Sequence, residues 1–392
     1  MIANIASPRM MLVGGGTVRQ IAEILAKFGL SRPLVVTDPF MVSSGLVRSC
    51  LEPLEQAGIQ AGVFSDTIPE PTDTIVENGV IAIQGGAYDC LIGFGGGSPI
   101  DTAKAMAILA LGGGKMKDYK VPFAADRGAM PVIAIPTTAG TGSECTRFTV
   151  ITDHERDEKM LISGLGALPL AAIVDYELTF SVPPRTTADT GVDSLTHALE
   201  AYVSKRANPF SDALALAAME LIGKHLRTAY AEPRNAEARE AMMLGATQAG
   251  LAFSNSSVAL VHGMSRPIGA HFHVPHGLSN AMLLPAITRF SVGAAEARYA
   301  EASRQSGFAA LGDGDAIAAA KLVSGLEQLN SDLGVPTPAA YGIDEATWNG
   351  KLDLMAEQAL ASGSPGNNPR VPEKAEITAL YREVWTGSRS NA

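Results

Sequence analysis

The sequence predicts an α/β half built on a parallel sheet, followed by an all-helical half. The break falls near Val182-Pro183-Pro184. Three observations predict this. Up to Asp175, short apolar runs alternate with segments whose apolar residues recur at helical spacing, the pattern of strand–helix units. Beyond Pro184 the helical spacing continues and no strand pattern returns. At 392 residues the chain is also longer than one core usually serves. Two domains are expected, residues 1–182 and 183–392.

In the first half, Val18–Phe28 has helical spacing, and Pro33–Thr37 is a buried strand. Gln60–Phe64 is a short strand, and Thr72–Gly85 is a helix with Pro71 suited to its first turn. Cys90–Phe94 is a strand and Pro99–Leu111 a helix; Pro131–Ile135 is the next strand. Phe148–Thr152 and Met160–Ser163 form a small β excursion, and Ala172–Asp175 is the last strand. The second half has helical patterns at Ala188–Val203, Ser211–Leu226, Ala236–Asn255, Ser279–Phe290, Ala294–Gln305, Asp315–Leu333 and Ala375–Val384. Ser362–Pro369 is a loop.

Composition narrows the function classes. Apolar residues make up 46% and charged residues 18%, a soluble globular balance. The net charge of −10 argues against nucleic acid and anionic membrane surfaces as partners. No apolar run reaches the roughly 20 residues needed to span a bilayer. Cys50, Cys90 and Cys145 are widely spaced and suggest no disulfide framework or Cys-X-X-Cys site. The N-terminus lacks the pattern of a signal peptide, and a cytoplasmic location is expected.

Gly93-Phe-Gly-Gly-Gly-Ser-Pro-Ile-Asp-Thr-Ala-Lys104 runs from a strand into a helix. Gly95, Gly96 and Gly97 let the backbone approach an anion closely and turn N–H groups towards it. Ser98 can cap the helix, Pro99 fits its first turn, and the helix N-terminus adds partial positive charge. The stretch suits the pyrophosphate of a dinucleotide, although it is neither Gly-X-Gly-X-X-Gly nor a Walker loop. Asp38, at the end of an early strand, can accept from an adenosine ribose and repel a 2′-phosphate, which favours NAD over NADP. The alternative is an Asp serving the turn before Pro39. Pro136-Thr-Thr-Ala-Gly-Thr-Gly-Ser-Glu144 follows another strand and offers small hydroxyls to phosphate or nicotinamide. Gly14–Gly16 reads as a turn near the sheet edge.

Four of the seven histidines, His262, His271, His273 and His276, fall within Ser257–His276. Asp193 and His197 are four apart in a helical segment and share one face. One Asp with three His suits Fe²⁺, Zn²⁺, Mn²⁺ or Co²⁺ rather than Ca²⁺ or Mg²⁺. Chemistry alone leaves open which of His271, His273 and His276 join His262.

Taken together, these motifs resemble the iron-activated (group III) alcohol dehydrogenase family, of the lactaldehyde reductase and propanediol oxidoreductase type. The resemblance rests on Gly95–Ser98 with Asp101 and Lys104, on Pro136–Glu144, on Gly191-Val-Asp-Ser-Leu-Thr-His197, on His262-Gly263-Met264 and on Pro275-His276-Gly277. It extends to Asn368-Pro369-Arg370 and covers essentially the whole chain. It implies a dehydroquinate synthase-like architecture with an NAD(P)-binding domain and a metal-binding helical domain. The metal ligands would be Asp193, His197, His262 and His276, holding Fe²⁺ or alternatively Zn²⁺. Cofactor contacts would come from Asp38, Gly95, Gly96, Gly97, Ser98, Asp101, Thr137, Thr138 and Thr141, with Lys159 and Leu178 as further contacts. His271 and His273 become loop histidines on the substrate side. The implied activity is hydride transfer between NAD(P) and a small primary alcohol or hydroxy acid, in a homodimer or higher homo-oligomer.

One position departs from the family. Many members carry a histidine four residues after His262, where this chain has Arg266. Histidine relays protons near neutral pH; arginine stays charged and cannot. Arg266 can instead bind an anionic group of a semialdehyde substrate, or serve the structure by pairing with a carboxylate or carbonyl. The rival enzyme reading is a dehydroquinate synthase-like lyase that uses NAD and a metal. Arg266 and Arg147 are thin support for its phosphorylated sugar acid. A metal-free maleylacetate reductase and a non-catalytic binding protein fit the intact motifs less well.

Overall fold

Strands buried on both faces must be apolar at every position, and four strands of this chain are. The computed structural model describes residues 3–156 and 158–387. Residues Asn4–Ser181 form one compact unit, and Val182 onward forms another.

The first unit holds strands β1 (Met10–Val13), β2 (Pro33–Val36), β3 (Gly62–Phe64), β4 (Cys90–Gly95), β5 (Val132–Pro136), β6 (Phe148–Asp153), β7 (Glu158–Ser163) and β8 (Ala171–Val174). Its helices are α1 (Ile21–Lys27), α2 (Pro39–Ser43), α3 (Arg48–Gln56), α4 (Asp73–Gly86) and α5 (Gly97–Gly112). Six strands form a parallel sheet in the order β1-β8-β5-β4-β2-β3, and β6 and β7 pair as an antiparallel hairpin. β2, β4, β5 and β8 are buried at every position. Successive side chains enter opposite layers. Leu34, Val36 and Leu91 pack with Val76 and Met106, whereas Val35, Ile92 and Phe94 pack with Ile24 and Leu54. That division is the period-two geometry of a strand.

The strand order creates a place for a ligand. From β2 the chain crosses to β3 on one side, and from β4 it crosses to β5 on the other. Such a reversal opens a crevice at the carboxyl ends of the two adjacent strands. Thr37 Oγ1 donates to Phe94 O at 2.8 Å and ties those ends together.

The second unit is built of helices and loops, with no strand among its described residues. It comprises α6 (Pro184–Val203), α7 (Pro209–Ala231), α8 (Ala236–Ser254), α9 (Leu260–Phe272), α10 (His276–Ser291), α11 (Glu296–Gln305), α12 (Asp315–Asp332), α13 (Pro338–Tyr341), α14 (Glu345–Ala361) and α15 (Lys374–Thr386). Its core includes the fully buried Trp348 and Tyr381, and Tyr381 Oη donates to Met264 O at 2.7 Å. No helix is long and apolar enough to cross a membrane among the described residues.

Several sequence expectations change. The helix expected from Pro99 begins at Gly97, and Gly96, in extended conformation, occupies the cap position expected for Ser98. Ser98 lies in the first turn, where its carbonyl accepts from Thr102 Oγ1 at 2.8 Å. Pro71 precedes the α4 cap, which is Thr72. Asp38 lies beyond the strand, which stops at Val36. The pattern expected over Ala236–Asn255 ends at Ser254, and His262 lies in the first turn of a separate helix, α9. β1, α3, α9 and α14 were not anticipated.

Candidate metal centre and cofactor loops

The metal candidates come from three helices of the second unit. Asp193 and His197 are one turn apart on α6, His262 lies in the first turn of α9, and His276 opens α10. The donor atoms of these four residues all lie within 4.8 Å of one another. Asp193 Oδ1 is 3.5 Å from His262 Nε2 and 3.9 Å from Nε2 of both His197 and His276. Two donors each ~2.1 Å from one tetrahedral ion sit about 3.4 Å apart, so the cup has the dimensions of a cation site. Asp193, His197 and His262 are buried, whereas His276 is 41% exposed, so the cup opens on the His276 side.

Local packing explains why the donors converge. A Cβ on Gly277 would lie 2.5 Å from the carbonyl oxygen of Asp189 and 3.4 Å from Asp193 Cβ. Only glycine lets α10 approach α6 this closely and carry His276 to Asp193. His197 stacks between Phe253, at 4.3 Å between ring centroids, and His262, at 4.5 Å.

Glu200, which the sequence reading missed, holds His262. It lies one turn beyond His197 on α6 and is buried. Its carboxylate accepts from Ala259 N at 2.8 Å and Val261 N at 2.6 Å, capping α9 from another helix. It also lies 2.6 Å from His262 Nδ1. With the proton held at Nδ1, Nε2 is left as the donor facing the cup. The spacing of Asp193, His197 and Glu200 at i, i+4 and i+7 was the available signal.

Asn280 was also missed, although it lies one turn after His276. Its Nδ2 is 2.6 Å from Asp193 Oδ1, 3.2 Å from His262 Nε2 and 3.3 Å from His276 Nε2. Its buried Oδ1 has no hydrogen-bond partner. One amide thus serves three converging acceptors, and the cup is short of positive charge. The ionisation of the bare site tells the same story. Burial opposes the charge on Asp193, yet His197, His276 and His262 hold its carboxyl well below the usual range. Burial also opposes charge on His262, but Glu200 and Asp193 raise it to about 9. A divalent ion would supply the charge these groups otherwise draw from protons, and the sulfur-free donor set fits Fe²⁺ or Zn²⁺.

His271 and His273 lie outside the cup. His271 Nε2 is 2.8 Å from Gln358 Oε1, and His273 ends α9 in left-handed conformation. Arg266 is half-buried on the His262 face of α9, with Nη1 donating to Ser364 Oγ at 3.2 Å.

The cofactor candidates belong to the first unit. Gly95 pairs with Pro136, so the loops after β4 and β5 emerge side by side. Thr137 N donates to Gly95 O at 2.8 Å. A Cβ on Gly97 would lie 2.8 Å from Thr141 Cγ2, so the close approach of the second loop requires glycine there. Gly96, Ser98, Thr138 and Thr141 are partly exposed beside the α5 N-terminus, and Thr137 is buried. Asp38 Oδ1 accepts from Met41 N at 2.9 Å and caps α2. It follows β2 by two residues, and β2 is the sheet neighbour of β4, which leads into the glycine loop.

Asp101 braces the second loop. Its Oδ1 accepts from Ser143 Oγ at 2.5 Å and its Oδ2 from Val150 N at 2.9 Å. Lys104, fully buried, donates to Ser143 Oγ, Thr146 O and Phe148 O at 2.9–3.0 Å. Together they pin the second loop from beneath. Lys159 on β7 pairs with Glu70, and the Leu178 side chain is buried in the layer containing Ile92 and Phe94.

Comparison with known proteins identifies the family. Residues 8–176 match the family model described as iron-containing alcohol dehydrogenase. Residues 187–385 match the C-terminal model of the Fe-containing alcohol dehydrogenase family. The chain is 36% identical over 384 residues to the NAD-dependent methanol dehydrogenase of Bacillus methanolicus, covering 98% of this chain and 100% of that one. The crystal structure of a 1,3-propanediol oxidoreductase superposes with a TM-score of 0.94 at 34% identity, covering 98% and 100% of the two chains. The sulfoacetaldehyde reductase of Bifidobacterium kashiwanohense, solved with NAD⁺, gives 0.89 at 31% identity, covering 99% and 100%. The chain belongs to the iron-containing alcohol dehydrogenase family and is an oxidoreductase of that kind.

Proposed function

We propose that this protein moves a hydride between NAD(H) and a small primary alcohol or its aldehyde, with a divalent ion, Fe²⁺ by preference, held by Asp193, His197, His262 and His276. The observation that carries the reading is the cup of four converging donors, served by a single amide and open on one side. When bound, the ion supplies Lewis acidity for a substrate oxygen and the nicotinamide supplies or accepts the hydride.

The chain's own residues bind and orient. Three neutral histidines and one carboxylate leave a dication site with net positive charge, which favours developing negative charge. Glu200 keeps the His262 ring in one tautomer and one orientation. Gly95–Gly97 and the α5 N-terminus offer N–H groups to pyrophosphate, and Ser98, Thr137, Thr138 and Thr141 line the same place. Asp101 holds that wall through Ser143. Lys159 and Leu178 complete the cofactor contacts in this reading. Arg266 stays charged and cannot relay a proton, so the proton leaves through His271, His273 or water.

The NAD-dependent methanol dehydrogenase and the NAD⁺-bound sulfoacetaldehyde reductase support NAD as cofactor. Asp38 supports it too, since its carboxylate repels a 2′-phosphate. Asp38→Gly is expected to lower the NADH/NADPH ratio of kcat/KM by about tenfold, the effect of ~1.4 kcal/mol. An unchanged ratio removes Asp38 as the discriminator. Three free, buried cysteines fit a cytoplasmic protein, and a homodimer or larger homo-oligomer follows the family pattern.

The test is aldehyde-dependent oxidation of NADH by protein reconstituted separately with Fe²⁺ and Zn²⁺. Equimolar alcohol and NAD⁺ are expected. Phosphate release from a phosphorylated sugar acid with no net change in NADH would point to the lyase instead.

A further inference from the structure

The half-buried arginines of the second unit follow a rule that Arg266 breaks. Arg185 pairs with Asp189, Arg227 with Asp332 and Arg298 with Asp212. Arg289 pairs with Glu327 and Glu383, and Arg304 with Glu301 and Asp315. The buried Arg239 has no carboxylate but donates to Pro233 O, Thr187 Oγ1 and Val182 O. Arg266 has the Ser364 hydroxyl as its single hydrogen-bond partner, and no carboxylate within ion-pair reach among the described residues.

A guanidinium carries five donors in a planar fork, so most of this one's capacity is unused. Burial disfavours its charge, and Glu200 is the acid that favours it. Yet Glu200 is already committed to Ala259 N, Val261 N and His262 Nδ1. A partly desolvated cation in this condition gains from an incoming anion what its neighbours cannot give it.

Its position gives that anion a context. His262 and Arg266 are four apart on α9 and share one face. His262 points Nε2 into the cup, and Arg266 lies about one turn further, ~6 Å along the axis.

We propose that Arg266 is a specificity-determining residue that binds the anionic end of the substrate, so that the preferred substrates are short aldehydes carrying a carboxylate or sulfonate. This rests on the dehydrogenase reading above and names the substrate class of the same site. A carboxylate meets the guanidinium fork with two parallel hydrogen bonds. Its aldehyde end, roughly two or three carbons away, then lies towards the cup. The reaction is an ordinary reduction: the carbonyl carbon gains hydride from NADH, its oxygen gains a proton from water, and NAD⁺ leaves.

The test compares 4-oxobutanoate with butanal, the same chain with and without the anion, on Fe²⁺-loaded protein. The wild type is expected to prefer 4-oxobutanoate in kcat/KM. Arg266→Gln should lower the ratio of the two kcat/KM values by about a hundredfold, the worth of a charge-assisted pair. Arg266→Lys keeps the charge without the fork and should lose less, which controls for a variant that misfolds. Succinate should compete with butanal in the wild type and do so more weakly in Arg266→Gln. No preference in the wild type, or equal losses on both aldehydes, overturns the proposal and leaves the dehydrogenase reading intact. Reduction of neither aldehyde by the wild type overturns the dehydrogenase reading, and this proposal with it.

Discussion

Replacing His262 by alanine is expected to lower kcat by about 10³-fold or more and to leave the protein nearly free of metal. The rate figure is the several kcal/mol that Lewis-acid stabilisation of an oxyanion contributes. His262 occupies the cup more centrally than the other histidines. Its Nε2 is the imidazole nitrogen nearest Asp193 Oδ1, at 3.5 Å, and its ring stacks on His197. Its Nδ1 faces the Glu200 carboxylate that also caps α9. Alanine removes a donor to the ion and one hydrogen-bond partner of a buried carboxylate. The second loss costs about 1–3 kcal/mol in stability, so the variant should fold but melt earlier. Elemental analysis, thermal melting and steady-state kinetics on one preparation separate these effects. Full activity in a variant shown to be folded and metal-free would sink the site assignment.

The second large effect is expected in the first unit, beneath the loop that follows β5. Lys104→Met should destabilise the protein by about 3–5 kcal/mol, the usual consequence of removing one partner from a buried charged network. Lys104 is fully buried and bonds Ser143, Thr146 and Phe148, while Asp101 bonds Ser143 and Val150. Methionine fills the volume but leaves those acceptors unpaired and Asp101 without its nearest positive charge. Because Ser143 ends the loop that carries Thr137–Thr141, KM for NADH should rise as well. The pH dependence gives an independent check. Burial lowers the Lys104 pKa to about 8, with Asp101 opposing. Between pH 8 and the ordinary lysine value of 10.5, the unfolded chain binds more protons at this position than the folded one. This group therefore costs stability below pH 8, and that cost fades as pH rises towards 10.5. Urea denaturation should show that rising component in the wild type and its loss in Lys104→Met. Equal stability and equal pH profiles in the two proteins would contradict a buried ionised lysine.

The parts that were legible in the sequence share a physical reason. β2, β4, β5 and β8 are buried on both faces, so each reads as an unbroken apolar run. α6, α7, α8 and α12 are long, so their apolar spacing repeats over several turns. The elements that escaped are those whose formation depends on distant partners. β1 is a four-residue edge strand paired on one side by β8. α9 contains Gly263, Pro267 and Gly269, all poor helix formers, and is held by Glu200 at its start and Tyr381 at Met264. The start of α5 was misplaced because Gly96 caps through its backbone conformation, which leaves no side-chain signal.

The candidate site divides in the same way. Spacing joined Asp193 to His197, and the family pattern selected His276 over His271 and His273. Glu200 and Asn280 could have been suspected from their one-turn offsets from His197 and His276. Their partners on α9 and α6 are 62 and 87 residues away, and only the folded chain brings them together. The isolation of Arg266 has no sequence signature, because an unpaired arginine and a paired one are written alike.

The most direct test of the central claim is to strip the protein of metal and titrate it anaerobically with Fe²⁺ while following aldehyde-dependent NADH oxidation. The account predicts negligible turnover at the start, a linear rise, and a plateau at one ion per chain. Full turnover by the metal-free protein, unchanged as the ion is added, would contradict it.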